Sequence, residues 1–354
     1  MNQLEQARIR IDEVDRQMAA LFEQRMDAVR QVIEYKQATG MPILDTGREA
    51  QVIEKNTALI QDEVLKPYYA DLLRAQMALS RQYQAWVLSR DVVAHQGVEG
   101  AYSHIALRRL FPRGRALSLP TFDEVFEAVA DGRAAYGVIP FENSTAGDVS
   151  SVLDLLYRHE LHIVQMYDLP VRHNLLGVPG ARLRDVTDVF SHPQALHQSA
   201  DFLKKLDFAT HEWPNTAKAA QYVAQQGDPS KAAVASAETA ELYGLTVLAE
   251  GINTDGDNTT RFVVIGRELP ASGDRFSLLF TVDNKPGALA HVVQAVAEAG
   301  FNMECIKSRP RPHVPFEYYF YIELVGGDTP DRDRLMERMN QICQQVRLLG
   351  VYNK

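Results

Sequence analysis

From residue 4 to residue 39 the chain runs without glycine or proline, and its apolar side chains recur every three to four positions, the spacing of one long amphipathic helix. Gly40, Pro42 and Gly47 break that pattern. Two shorter helical patterns follow near 48–61 and 67–89, with Pro67 suited to a first helical turn. No strand-like run interrupts them, so residues 1–90 read as an all-helical unit. At Val92 the texture changes. Short apolar runs such as Asp91-Val92-Val93-Ala94 and 135–139 alternate with helical stretches as far as Ile265, which predicts a two-lobed α/β domain with a largely parallel sheet over 91–268. After a polar linker at 270–274, strands near 275–283, 302–309, 317–325 and 345–350 and helices near 287–299 and 330–343 predict a ferredoxin-like βαββαβ domain over 274–354. The expected fold class is multidomain: an all-α helical N-terminal unit, a two-lobed α/β central domain and a ferredoxin-like C-terminal domain.

Composition narrows the classes of function. The 354 residues are 46% hydrophobic and 23% charged, ordinary for a globular protein but too long for one compact core. A net charge of −9 with no offsetting basic stripe argues against a nucleic-acid partner. No apolar run reaches membrane-spanning length and no signal-peptide core opens the chain, so neither a membrane nor export is expected. The two cysteines, Cys305 and Cys343, make no disulfide framework, and a reducing cytoplasm is the expected home. His192 and His197 have the wrong spacing for one helix face. No metal and no cofactor is expected.

Candidate chemistry begins at Asn258-Thr259-Thr260-Arg261-Phe262, where an amide, two hydroxyls and a guanidinium stand at the mouth of an apolar strand. Arginine forks onto carboxylates, and hydroxyls and amides can complete the hydrogen bonding of a small carboxylate-bearing molecule. Three more polar groups abut strand-like runs upstream: Pro140-Phe141-Glu142-Asn143-Ser144-Thr145, Ser191-His192-Pro193-Gln194-Ala195-Leu196 and Asn215-Thr216-Ala217. Together these resemble the signature blocks of prephenate dehydratase. The resemblance implies loss of water and carbon dioxide from prephenate to give phenylpyruvate. It puts Thr260 in the catalytic position, polarising the departing hydroxyl, because a threonine hydroxyl is too weak an acid for full proton donation. Arg261 is then expected to bind a carboxylate, with Asn143, Ser144, Thr145 and Thr216 supplying further hydrogen bonds. Glu142 and His192 are alternative proton donors, each weighed against a structural role. Asn215 replaces the family's usual serine, and His95 stands where an apolar or aromatic residue is usual.

The first helix carries Arg8, Arg25 and Lys36 on the stripe that also holds its apolar residues, and the third carries Ser80 and Gln84 on such a stripe. Unpaired charges on a packing seam are costly, so a polar pocket is the alternative to register-setting or snorkelling. A capping box with Thr46 is a competing explanation for Glu49. The segment resembles the all-helical type of chorismate mutase. The resemblance implies that Arg8, Arg25 and Arg48 bind the carboxylates of chorismate. It also implies that Lys36 and Gln84 donate to the ether oxygen, and that Asp45, Glu49 and Ser80 line the hydroxyl side. At about 1.5 Å per residue, Arg8 lies roughly 25 Å from Arg25, too far for one small ligand. Arg8 is therefore expected to enter a second subunit's pocket, making a homodimer.

In the last segment Lys285-Pro286-Gly287-Ala288-Leu289 opens a helix and Ile306-Lys307-Ser308-Arg309-Pro310 closes a strand. This resembles an ACT domain, which implies L-phenylalanine as effector, held by Gly287, Ala288, Leu289, Ser308, Arg309 and Pro310. A helix N-terminus suits the effector's carboxylate. Lys307 stands where the family has glutamate, which weakens the expected attraction for the effector's ammonium. Two other readings stay open: a monofunctional enzyme with one inactive unit, and a small-molecule sensor or binding protein.

Overall fold

The computed structural model describes residues 2–39, 41, 46–88, 92–254, 256–312, 314–326 and 330–353. The chain divides into two compact units, one of residues 1–91 with 131–133 and the other of residues 92–130 with 134–354. In the helical unit, helices span Gln3–Thr39, Thr46–Thr57 and Lys66–Leu88. Ile33, Ala70, Leu73 and Met77 are buried where the later part of the first helix lies against its neighbours. Across its first half, Leu4, Ile11, Val14 and Met18 are exposed.

The second unit opens with a sheet ordered Arg115–Leu119, Val92–Gln96, Tyr136–Asn143, Thr259–Gly266 and His162–Pro170. Its first three strands are parallel, and Thr259–Gly266 runs antiparallel to both of its neighbours. A second, five-stranded sheet runs Thr246–Ala249, Asn174–Gly177, Lys231–Ala235, Asp188–Ser191 and Ala209–Glu212. These are the two expected lobes, and the chain crosses between them at 170–174 and again at 249–259. Each core is built from the apolar alternation seen in the sequence. On Thr259–Gly266, Phe262 and Val264 face the helix Tyr102–Leu110, while Val263 and Ile265 face the opposite layer.

The last segment has the expected order. Strands Arg275–Thr281, Asn302–Pro310, Tyr318–Val325 and Gln345–Tyr352 form an antiparallel sheet, with helices Ala288–Glu298 and Pro330–Ile342 on one face. Its other face is not a free domain surface. Leu279, Tyr319, Tyr321 and Tyr352 pack with Phe141, Val152, Leu153 and Leu156 in one core. Gly350 pairs with Ile163 and joins the two sheets, and a Cβ there would collide with the Ile163 carbonyl oxygen. Gly273, inside the expected linker, lies equally close to the backbone of Tyr352. Gly273 is buried while Ala271, Ser272 and Asp274 are exposed, and the central and C-terminal segments form one compact unit.

Candidate functional site

Strand geometry decides what the Thr-Thr-Arg run can do. Neighbouring side chains on a strand project to opposite faces. Thr260 is in register with Asn143, whose Nδ2 donates to Thr260 Oγ1 at 2.9 Å and to Asn258 Oδ1 at 2.7 Å. Asn143 Oδ1 accepts from the backbone N–H groups of Thr145 and Ala146, so its amide is locked by the turn it starts. With its oxygen already accepting from Asn143, the Thr260 hydroxyl keeps its own proton for an outward hydrogen bond. Ser144 Oγ donates to the Asp257 carbonyl and accepts from the Thr259 amide, fastening the same turn to the strand entry.

A polar chain extends from this pair into the second lobe. Asn258, buried, donates to Gln198 Oε1 at 3.0 Å. Gln198 Oε1 lies 2.9 Å from His173 Nε2, and His173 Nδ1 lies 3.2 Å from the Tyr102 hydroxyl. Burial lowers the pKa of His173, against an opposing contribution from Gln198, so the ring is held neutral. Tyr102 also lines an interlobe cleft of about 590 Å³ with Arg109, Arg172, Asn174, Glu238 and Glu250. Asn258 is the amide of the cluster singled out from the sequence, whereas Gln198, His173 and Tyr102 were not among the expected site residues. Of these three, Gln198, one helical turn beyond Gln194, had the clearest signal.

Arg261 departs from expectation. It is forked on Asp168 at 2.9 and 3.3 Å, on the face away from Thr260, and lies 4.0 Å from the buried Glu323. The hydrogen bond to Asp168 raises its pKa despite partial burial. That fork engages Nε and Nη2 and turns the guanidinium away from the Thr260 face. Glu142 shares the Arg261 face and pairs with Lys307 at 3.3 Å, while His192 caps the helix Pro193–Gln198 by accepting from the Gln194 amide. Both of these alternative proton donors are in structural use. Thr145 is exposed, and Thr216 is buried in the first turn of a helix capped by Asn215.

In the helical unit Arg25 donates to Ser80, and burial lowers the Arg25 pKa. Gln84, one turn beyond Ser80, is buried, and its Oε1 has no hydrogen-bond partner among the described residues. Glu49 is ion-paired with Arg81. Lys36 is half-buried, whereas Arg48 and Arg8 are exposed. Asp45 lies outside the described residues.

In the C-terminal module, Gly287 is the N-cap of the helix Ala288–Glu298 at φ +85°, with no side chain capping it. Beside it is a pocket of about 140 Å³ lined by Val282, Lys285, Ala288, Leu289, Tyr318 and Phe320. Ser308 pairs with Phe320, and Pro310 with Tyr318, which puts both on the pocket's face of the sheet. Arg309 falls on the other face, forked on Asp154 at 2.6 and 3.2 Å, and is not available to an effector in this pocket. Lys307 also points to that other face, toward Asp148 and Glu142. Its substitution for glutamate therefore concerns the contact with the first lobe, not the pocket.

No group of three or more His, Cys, Asp or Glu among the described residues could hold a metal ion. Nor is any described helix long and apolar enough to cross a membrane.

A two-lobed α/β unit with a polar chain linking its lobes, fused to a ferredoxin-like module, defines a cleft-forming enzyme class with an appended sensor-type domain. Comparison with known proteins gives the family. The prephenate dehydratase family matches residues 93–270, chorismate mutase type II matches 7–85 and the ACT domain matches 276–344. The chain belongs to the prephenate dehydratase family and carries the other two segments before and after that domain. It is 35% identical over 283 residues to the chloroplastic arogenate dehydratase/prephenate dehydratase 1 of Arabidopsis thaliana, covering 75% of this chain and 72% of that protein. A prephenate dehydratase from Arthrobacter aurescens, solved in complex with L-Phe, superposes with a TM-score of 0.69 at 25% identity, covering 74% of this chain and 90% of that one. A solved structure described as a novel type of quorum quenching acylase (GqqA) has a TM-score of 0.69 at 35% identity, covering 74% and 97%.

Proposed function

We propose that this protein is a bifunctional enzyme of phenylalanine biosynthesis. Its helical unit rearranges chorismate to prephenate, and its two-lobed domain converts prephenate to phenylpyruvate. The observation that carries the second activity is the Thr260 hydroxyl, its oxygen engaged by Asn143 and its proton left to polarise a departing hydroxyl. Aromatisation supplies the driving force, so orientation and hydrogen bonding suffice. For the first activity, a pericyclic step needs no nucleophile or proton transfer. Arg25, Ser80 and Gln84 converge on one seam, where the Gln84 amide oxygen has no hydrogen-bond partner among the described residues. L-Phenylalanine is the proposed effector, with its carboxylate at the Gly287–Leu289 helix start and its ring beside Phe320 and Tyr318. We read the assembly as a homodimer through the helical unit, supported by the exposed apolar stripe on the first helix.

Incubation with chorismate, following prephenate and phenylpyruvate separately, tests both steps. Accumulation of prephenate alone would leave only the mutase reading, and unchanged chorismate with turnover of added prephenate only the dehydratase reading. Arogenate, which appears in the names of several relatives, belongs in the same assay as a second substrate. Preference for it over prephenate would replace the substrate assignment but not the dehydration chemistry.

A further inference from the structure

The turn that presents Asn143 is tied to the strand entry through Asn143 and Ser144, but the ribbon that carries it is short. Strand Tyr136–Asn143 pairs with the two-residue strand Gly147–Asp148 through two register pairs, Asn143 with Gly147 and Glu142 with Asp148. The second pair sets two carboxylates directly opposite each other, which destabilises a ribbon. That repulsion works against the ribbon that carries the Asn143 amide.

The compensating charge comes from the C-terminal module. Lys307, on the strand Asn302–Pro310, places its Nζ against Asp148 Oδ1 and 3.3 Å from Glu142 Oε2. Its side chain is only 9% exposed and lies over the ring of Phe141, with Nζ 5.0 Å from the ring centroid. One buried cation thus bridges both members of the like-charged pair, whose own carboxylates remain partly exposed. The rest of the segment is gripped from the same side. Arg309 and Tyr319 hold Asp154, and Arg347 donates to the Leu156 and His159 carbonyls at the end of the helix Ser150–Arg158.

We infer that Lys307 is a positioning residue for dehydration: by clasping Glu142 and Asp148 it holds the Asn143–Ala146 turn in the geometry that orients Thr260. The inference rests on the dehydratase reading for its kinetic consequence but not for its structural one. Lys307 touches neither Thr260 nor the effector pocket; it acts through the ribbon. The clasp also makes the turn's geometry depend on the seating of the C-terminal module.

Two readouts on the full-length chain test this. In Lys307→Met, kcat for prephenate dehydration should fall about tenfold with KM within about twofold, while Lys307→Arg stays close to wild type. Amide hydrogen exchange at Thr145, Ala146 and Val149 should quicken at least tenfold in Lys307→Met, with the helix Ala288–Glu298 unchanged. Lys307→Glu, which puts three carboxylates together, should be worse, and adding Asp148→Lys to it should recover activity. Wild-type kcat and exchange in both Lys307→Met and Lys307→Glu would overturn the clasp, as would failure of the charge swap to improve on Lys307→Glu. If the wild-type chain does not turn over prephenate, the functional proposal fails. The exchange arm still decides whether Lys307 holds the turn.

Discussion

Thr260 and Arg261 are adjacent in the chain and face opposite sides of one strand, the hydroxyl toward Asn143 and the guanidinium forked on Asp168. The pair that looks like a single polar cluster in the sequence is divided between two tasks. Thr260 faces the chain of amides that leads through Gln198 and His173 to the second lobe. Arg261 lies in a row with Glu142 and Asp168 across three strands, facing Glu323 of the C-terminal module.

Removal of the Thr260 hydroxyl should slow chemistry more than binding. Thr260→Ala is expected to lower kcat for dehydration by roughly 100-fold, the usual scale for one preorganised hydrogen-bond donor. Thr260→Ser, which keeps the hydroxyl, should stay within about tenfold of wild type. Asn143→Ala should resemble Thr260→Ala, since it frees the oxygen that Asn143 holds. Steady-state formation of phenylpyruvate from prephenate checks all three; near-normal turnover by Thr260→Ala removes this threonine from the mechanism.

Arg261 is expected to behave as a structural cation. In Arg261→Met, Asp168 loses its fork and the buried Glu323 loses one of its two facing arginines, the other being Arg275 at 3.7 Å. A loss of about 3 kcal/mol is the order expected when one partner of a largely buried charge network is removed. A double-mutant cycle with Asp168→Asn should give a coupling of about 1–2 kcal/mol in denaturant unfolding. If Arg261 instead gripped substrate, Arg261→Met would raise KM steeply and leave the unfolding midpoint in place.

The division between Thr260 and Arg261 was legible in principle, because period-two alternation along any strand separates neighbouring side chains. The same rule separates Ser308 and Pro310 from Lys307 and Arg309, so the pocket beside Gly287 and the contact with the first lobe can be told apart from register alone. The partners were not legible. Asp168 is 93 residues from Arg261 and Asp148 is 159 from Lys307, and no local pattern announces such pairings. Element order was readable throughout from hydrophobic period and from Gly and Pro punctuation. The join between the two sheets was not, since it depends on bare backbone at Gly350 coming into contact with Ile163 on another strand. His173 carried no spacing signal at all.

His95 gives the central unit an acid-sensitive core. It is fully buried, and burial, together with the nearby His104 and Arg108, pushes its pKa down from 6.5 to about 4. His104, its ring centroid 5.2 Å away, is also lowered, with Glu99 opposing the shift. The unfolded chain therefore binds more protons than the folded one between these two values. The His95 contribution should be level above about pH 6.5, fall as pH drops toward about 4, and level off below it. The His95 contribution is on the order of 3 kcal/mol. Unfolding free energies measured across this range should show the slope, and His95→Leu should reduce it. An unchanged slope in His95→Leu would assign the acid sensitivity elsewhere.

The first helix makes the final prediction. Its 37 residues extend about 54 Å, whereas the third helix, at 23 residues, covers about 33 Å. Arg25 meets Ser80 in the shared portion, but Arg8 is exposed, on a stretch where Leu4, Ile11 and Met18 also lie exposed. Roughly 25 Å separates Arg8 from Arg25, so they cannot serve the same pocket of one chain. In the proposed dimer, each pocket combines Arg25 of one chain with Arg8 of the other. Arg8→Ala and Arg25→Ala homodimers should each lose mutase activity while retaining dehydration of added prephenate. When the two variants are unfolded, mixed and refolded together, about half of the dimers are mixed if assembly is random. Each mixed dimer then holds one intact pocket and one doubly damaged pocket, so about a quarter of the wild-type mutase rate should return. Mixed dimers, verified by mass, that recover no mutase activity would show that Arg8 does not cross to its partner.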